Sequence, residues 1–297
     1  VAGGRIIGTR EAIGKAGGVI GVQRRRVAIA VAPNGGRKTR ADHPGLPMTA
    51  DDLARAAAEC LEAGAAMLHL HVRDSDGAHL LDAEAYRAAI SAICRTVGDR
   101  LVVQITSESL GKYAPAEQMA VVLATNPEAA SLALRELAPE AGDEKPFADF
   151  LVRLKRMRIW PQIILYSPEE AARLADMHRR GVVPFDSVAV LYVLGRFTLL
   201  RTAAPADLLP FLAPGAPRFA HWSVCAFGRR EAACVTAGAL LGGHARVGFE
   251  NNLTLPSGER ADSNADLVAA VARALADLGF VSEDADGLRA EAEPLLR

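Results

Sequence analysis

The first chemically pointed feature of this sequence is a pair of histidines one residue apart, His69-Leu70-His71. They close an apolar run, residues 66–72, that reads as a β-strand. Side chains at i and i+2 on a strand leave by the same face, so the two imidazoles point together. Imidazole is the commonest metal ligand, and a same-face pair at a strand's carboxyl end suits a metal. A second segment, HARVGFE at 244–250, is expected to be a strand too. On an unbroken strand His244, Arg246, Gly248 and Glu250 share one face, with Glu250 at the carboxyl end. Two histidines and one carboxylate, with coordination positions left open, make a catalytic type of site. Zinc is the first choice, and iron, manganese or cobalt use the same ligand types. The plainer reading of Glu250 is an ion pair with Arg246. His244 falls near the amino end of its strand and reads as structural. His43, His79, His178 and His221 show no ligand spacing and read as core or surface residues.

Residues 69, 71 and 250 are far apart in sequence, so a scaffold must bring them together. The chain alternates short apolar runs with amphipathic segments. Strands are expected at 27–33, 66–72, 101–106, 129–134, 161–166, 187–194, 218–226 and 244–250. Helices are expected after each, at 49–63, 83–97, 116–124, 147–157, 168–180, 205–212, 229–241 and 264–278. Thr49 can cap the first helix, and Asp51 and Asp52 suit its positive end. Parallel strands need crossover helices, and eight such units over roughly 250 residues is the usual size of a (β/α)8 TIM barrel. An open doubly wound sheet is the competitor. Its Gly-rich loop would follow the first strand, where this chain has APNGGRKTR, without GxGxxG spacing. In a closed barrel the first strand lies between the eighth and the second. Their ends are then about 10 Å apart, within reach of inward Glu and His side chains. Active groups belong at the carboxyl ends of barrel strands.

Bulk properties exclude several other classes. The chain has 297 residues, half of them hydrophobic, and a formal net charge of −1. That is no basic field for nucleic acid and no polybasic patch for a membrane surface. No apolar run reaches the roughly 18 residues of a membrane span. Four cysteines, Cys60, Cys94, Cys225 and Cys234, fall in no ligand spacing and read as reduced thiols of a cytoplasmic protein. Residues 1–26 are rich in Gly and Arg and are expected to be a disordered extension. The barrel is expected to occupy 27–297 as one domain.

LPMTADDLARAAAECLEAGAAMLHLHVRDSDG at 46–77, with GGHARVGFENNL at 242–253, resembles the β-keto acid cleavage enzyme family. The resemblance runs from about residue 27 to residue 278. It implies a zinc-dependent (β/α)8 barrel that condenses a β-keto acid with acetyl-CoA and releases acetoacetate and a new acyl-CoA. By that resemblance the zinc ligands are His69, His71 and Glu250. Arg246 matches the family's strand-eight arginine, and Thr106 and Ser131 match hydroxyl residues on strands three and four. A homotetramer or homodimer is implied as well.

Two departures matter. The family's best-known member has an aspartate after the metal-binding glutamate, where it takes part in proton transfer; here it is Asn251, and an amide cannot act as a base. Glu108, on the loop after strand three, is the first candidate to replace it. That member also has a glutamate facing a cationic substrate where this chain has Arg37, which favours an anionic or uncharged substrate tail. Gly228-Arg229 follows strand seven, where barrels often bind phosphate, and is the expected coenzyme contact. Two other readings compete. A metal-dependent hydrolase of the amidohydrolase type carries its HxH on strand one and further histidines on strands five and six. A metal-holding barrel that binds a keto acid without turnover belongs to a different class, and Asn251 is its only support.

Overall fold

The computed structural model describes residues 25–198 and 202–296. Eight parallel strands close into a barrel. They are β1 (Ile29–Val31), β2 (Met67–Leu70), β3 (Val102–Thr106), β4 (Ala129–Ala133), β5 (Trp160–Leu165), β6 (Ala189–Leu194), β7 (His221–Ala226) and β8 (His244–Val247). Each strand pairs with the next, and β8 pairs with β1 to close the ring. The outer helices are α1 (Ala50–Glu62), α2 (Ala83–Val97), α3 (Pro115–Thr125), α4 (Glu144–Met157), α5 (Pro168–Arg179), α6 (Leu209–Leu212), α7 (Glu231–Leu241) and α8 (Asn264–Asp277). Thr49 caps α1 as expected, accepting from the Asp52 N–H while Asp52 reaches back.

Strand parity sorts the side chains. On β2, Leu68 and Leu70 join the main apolar core, whereas Met67 and His69 belong to the barrel interior. That interior is tiered. At the amino end Ala28, Met67, Val102, Ala129, Trp160 and Ala189 form an apolar floor. Above it stands a polar tier containing His69, Gln104, Ser131, Gln162, Ser223 and Arg246, all buried. The floor is sealed by a C-terminal helix absent from the expected pattern, α9 (Ala285–Ala292), through Leu288 and Ala292, and by Leu295 of the 3-10 turn that follows it.

Several expected boundaries shift for physical reasons. The strand expected at 27–33 splits. Arg26–Val27 pairs with Val281–Ser282 outside the barrel, and Ile29–Val31 enters it. Arg25 and Arg26 are therefore placed, while the rest of the expected extension, 1–24, lies outside the described residues. The strand expected at 244–250 stops at Val247, because Gly248 turns the chain at φ +133. The helix expected at 205–212 is a 3-10 turn, Pro205–Leu208, followed by one short α turn that holds Pro210. The strand expected at 218–226 starts at His221, and the helix after it starts at Glu231 rather than 229. Among the described residues, no helix is long and apolar enough to cross a membrane.

If α9 seals the floor, Leu288→Ala should cost about 2–5 kcal/mol in urea unfolding, the usual loss for a buried leucine. A cost below about 0.5 kcal/mol would show that the helix does not hold the barrel closed.

Candidate metal centre and active site

His69 ends the inward face of β2, and His71 follows one step beyond it. Glu250 comes from the turn after β8 rather than from the strand itself. Backbone geometry imposes that turn. A Cβ on Gly248 would lie 2.4 Å from the Ala32 carbonyl oxygen, so only glycine permits the approach. Glu250 N then donates to that carbonyl at 3.1 Å. Gly35 is equally constrained, since a Cβ there would lie 2.6 Å from Glu250 Cγ.

Three atoms converge. His69 Nε2 and His71 Nε2 are 3.3 Å apart, and Glu250 Oε2 lies 3.6 Å and 3.3 Å from them. A tetrahedral ion with bonds of about 2.0–2.2 Å holds its ligand atoms about 3.3–3.6 Å apart. The donor set fits as well as the spacing. His69 Nδ1 is 2.8 Å from Gln104 Oε1, an acceptor, so Nδ1 carries the proton and Nε2 keeps its lone pair. Gln104 is oriented in turn, its Nε2 donating to Gln162 Oε1 at 3.2 Å, and Gln162 donating to Ser223 Oγ at 3.5 Å. Burial, then the Arg246 charge, push His69 down to about 3, so the imidazole is neutral. Glu250 is the opposite case. Burial would raise it, but Arg246 first, then His71 and His69, hold it well below the usual carboxylate range. Its Oε2 has no hydrogen-bond partner among the described residues. Three potential ligand atoms turned toward one buried point, two of them acceptors in the described network, are what a cation site requires.

Arg246 donates from Nη2 to Glu250 Oε1 at 2.7 Å. Its Nε and Nη1 are buried and have no partner among the described residues. Two donors of a buried guanidinium are thus left for an anionic ligand. Thr106 and Glu108 line the same chamber, together with Ala133, Ile164, Tyr166, Val193, Arg196 and Phe227. Thr106 Oγ1 accepts from the Glu108 N–H at 3.0 Å. Glu108 Oε1 accepts from Arg196 Nη2 at 3.1 Å, and its Oε2 lies 3.9 Å from His71 Nδ1. Ser131 pairs with Thr106 in the sheet but lines neither the chamber nor the cleft beyond it, and its buried Oγ lacks a partner among the described residues.

An outer cleft adjoins the chamber, sharing Glu108, Arg196, Phe227 and Glu250 with it. Arg37, Lys38, Gly228, Arg229 and Asn251 line it. Asn251 is buried, and both ends of its amide lack a partner among the described residues. Arg37 stands at the rim with half its side chain exposed, 3.9 Å from Glu108 Oε1.

Sequence reasoning missed several supports. Glu231, at the start of α7, is buried and accepts from Gly248 N at 3.1 Å and from Asn252 Nδ2 at 3.3 Å. Burial raises it well above the usual carboxylate range. It clamps both ends of the turn that carries Glu250. Lys38 Nζ donates to the Glu250 carbonyl at 2.7 Å, and Asn34 Nδ2 to the His71 carbonyl at 2.9 Å. The inward parity of Gln104, two residues before Thr106, was the one signal that could have revealed the His69 partner.

A second group, His221, His244 and Glu291, also has the composition of a metal site. It lies at the floor, where Glu291 Oε2 is 3.4 Å from His221 Nδ1 and 3.1 Å from His244 Nε2. His244 Nδ1 accepts the Ala28 N–H at 3.0 Å. A neutral imidazole then carries its proton on Nε2, which donates to Glu291 and has no lone pair for an ion. This group fastens α9 to β7 and β8, in keeping with the structural reading of His244.

Fold and site together define a (β/α)8 barrel with a His-His-Glu group, of the composition and spacing that could hold a metal ion, at the carboxyl ends of its strands. A family model described as beta-keto acid cleavage enzyme matches residues 26–291. The chain belongs to the β-keto acid cleavage enzyme family. It is 28% identical over 272 residues to the 3-keto-5-aminohexanoate cleavage enzyme of Fusobacterium nucleatum, covering 86% of this chain and 93% of that protein. It is 27% identical over 282 residues to the 3-oxoadipate:acetyl-CoA acetyltransferase of Cupriavidus necator, covering 87% and 96%. Among solved structures, a binary complex of ObcA with oxaloacetate superposes with a TM-score of 0.68 at 17% identity, covering 84% of this chain and 67% of that one, a likeness of fold.

Removing the His69 support should weaken the centre without unfolding it. Gln104→Leu should lower the affinity for a divalent metal about 10–100-fold, as loss of an outer partner of a metal ligand usually does. Unchanged affinity would mean that Gln104 does not set the His69 tautomer. A pH dependence follows too. His69 and His79 are each pushed down to about 3, chiefly by burial, from 6.5. The unfolded chain therefore binds protons that the metal-free folded protein refuses. The stability that these two imidazoles contribute should be full above about pH 6.5 and fall steadily toward pH 3. Urea midpoints that stay flat over that range would contradict neutral buried imidazoles.

Proposed function

We propose that this protein is a zinc-dependent enzyme that combines a β-keto acid with acetyl-CoA and releases acetoacetate and a new acyl-CoA. The observation that carries this reading is the pair of vacant Arg246 donors beside the convergent His69, His71 and Glu250 atoms. A β-keto acid carries a carboxylate and a keto oxygen on one short chain, one for each of these two features. When bound, the metal supplies Lewis acidity toward the keto oxygen. The chain's own residues do the rest. Arg246 Nε and Nη1 hold the substrate carboxylate or a developing oxyanion. The Thr106 hydroxyl stands in the chamber to hydrogen-bond a tetrahedral adduct, with Ser131 beside it on the next strand. Arg229 and the Gly228 backbone, with Arg37 and Lys38 around the cleft, suit the phosphates of the coenzyme. Asn251 presents an unpaired amide donor and acceptor to the same cleft. The cleft shares Glu108, Arg196, Phe227 and Glu250 with the chamber, so a thioester bound there would lie next to the keto acid.

Proton transfer falls to Glu108. It lines the chamber, and its Oε2 has no described contact closer than His71 Nδ1 at 3.9 Å. Arg196 holds the other oxygen and so aims the carboxylate. The hydrolase alternative loses its ligands, because the inward residues of β5 and β6 include Gln162, Ile164, Leu191 and Val193 and no histidine. The four cysteines are all free, which supports a reducing, cytoplasmic setting.

Acetoacetate release from a panel of β-keto acids should require both acetyl-CoA and the metal. His71→Ala should lose metal and activity together. A full equivalent of zinc in that variant would remove His71 from the centre. Glu108→Gln should lower kcat about 10²–10⁴-fold at unchanged zinc content. Asn251→Asp should raise the rate with the same substrate if the amide is only a poor substitute for a base. Both variants at the native rate would take the proton away from either side chain.

A further inference from the structure

Arg196 has more capacity than its contact with Glu108 uses. It follows β6, and its side chain is only 13% exposed although it stands at the barrel mouth. Its guanidinium lies 4.9 Å over the Phe227 ring, which fixes its plane. The hydrogen bond described for it runs from Nη2 to Glu108. A guanidinium carries five N–H donors along its edges, so a second anion can be taken without expelling the first. Arg37, the residue that the sequence offered for this task, is half exposed and lines the outer cleft instead. Arg196 lines the chamber that holds the metal ligands.

Charge decides which tail the chamber accepts. Glu108 Oε1 faces Arg196 at 3.1 Å and Arg37 at 3.9 Å. The next carboxylate, Glu136, is occupied by the Ser109 N–H at 2.8 Å. An ammonium drawn to Glu108 would sit against two guanidinium groups, and like charges at such range repel. A carboxylate drawn to Arg196 adds one anion to a place where two guanidinium groups, Arg196 and Arg37, already share the single carboxylate of Glu108. The remaining chamber wall is apolar or aromatic, from Ala133, Ile164, Tyr166, Val193 and Phe227, and suits a short methylene chain.

Resting on the β-keto acid reading, we infer that the substrate is dicarboxylic: one end bound at Arg246 and the metal centre, the far carboxylate bound by Arg196. Arg196 is then the residue that sets specificity.

The test compares three β-keto acids of equal length, ending in a carboxylate, a primary amide or an amine, with native protein, R196Q and R196K. Native kcat/KM should favour the carboxylate over the amide by about 10–100-fold, the usual effect of one charge-assisted hydrogen bond. The amine should be poorest. R196Q should bring the carboxylate-to-amide ratio close to unity, and R196K should restore part of it. An amide or amine as good as the carboxylate overturns the inference, as does a ratio that R196Q leaves unchanged. Calorimetric binding of the same acids to the metal-loaded protein, without acetyl-CoA, separates the two levels of argument. Tighter carboxylate binding that depends on Arg196, with no turnover of any acid, keeps the inference and removes the reaction. Equal binding of all three acids removes the inference whatever the turnover.

Discussion

The site depends on one costly arrangement, a carboxylate ionised inside the barrel. Glu250 must stay charged to bind a cation, yet burial penalises the charge by several kcal/mol. Arg246 offsets that cost through a 2.7 Å hydrogen bond and, buried itself, cannot retreat to solvent. The pair needs a turn that delivers Glu250 to the place where Arg246 and both imidazoles meet. Gly248 makes the turn, the Ala32 carbonyl anchors it, and Glu231 grips it at Gly248 and Asn252. Arg73 reaches across to the carbonyls of Gly35 and Lys38 and steadies the loop that lies against Glu250. The mouth is therefore held by buried polar contacts between neighbouring loops, and the strands beneath serve as their footing.

The barrel's two ends divide the work. At the floor, apolar residues and α9 close the interior, with His221, His244 and Glu291 fastening the helix. In the middle tier, amides run from Gln104 through Gln162 to Ser223 and hold His69 in one tautomer. At the mouth, charged groups face an inner chamber and an outer cleft that share a wall. Polarity rises from floor to mouth, in the order in which a metal centre needs exclusion of water, orientation and access.

Much of this was legible in the sequence, for identifiable reasons. The βα alternation carried the barrel because parallel strands oblige crossover helices. The HxH spacing carried the two imidazoles because strand parity is a local rule, and their Nε2 atoms do meet at 3.3 Å. Glu250 does meet the two imidazoles, but from a turn and not from the strand. An unbroken strand to 250 was expected, and the break at Gly248 comes from a close approach to Ala32, over two hundred residues away in the chain. Gln104 was legible only through its inward parity with Thr106, and Glu231 not at all, because a buried polar residue acquires meaning only from what faces it. Arg196 could have been found, since it stands just past the carboxyl end of β6, where barrel sites are built. Arg37, offered by the family resemblance, lines the outer cleft half exposed, 3.9 Å from Glu108.

The central claim is that His69 Nε2, His71 Nε2 and Glu250 Oε2 share one divalent ion. Anomalous diffraction at the zinc edge, on crystals of the metal-loaded protein, tests it directly. The account predicts one strong peak about 2.0–2.2 Å from each of those three atoms. A peak at His221 and Glu291 with none at Glu250, or no peak between the imidazoles at full zinc occupancy, would contradict it.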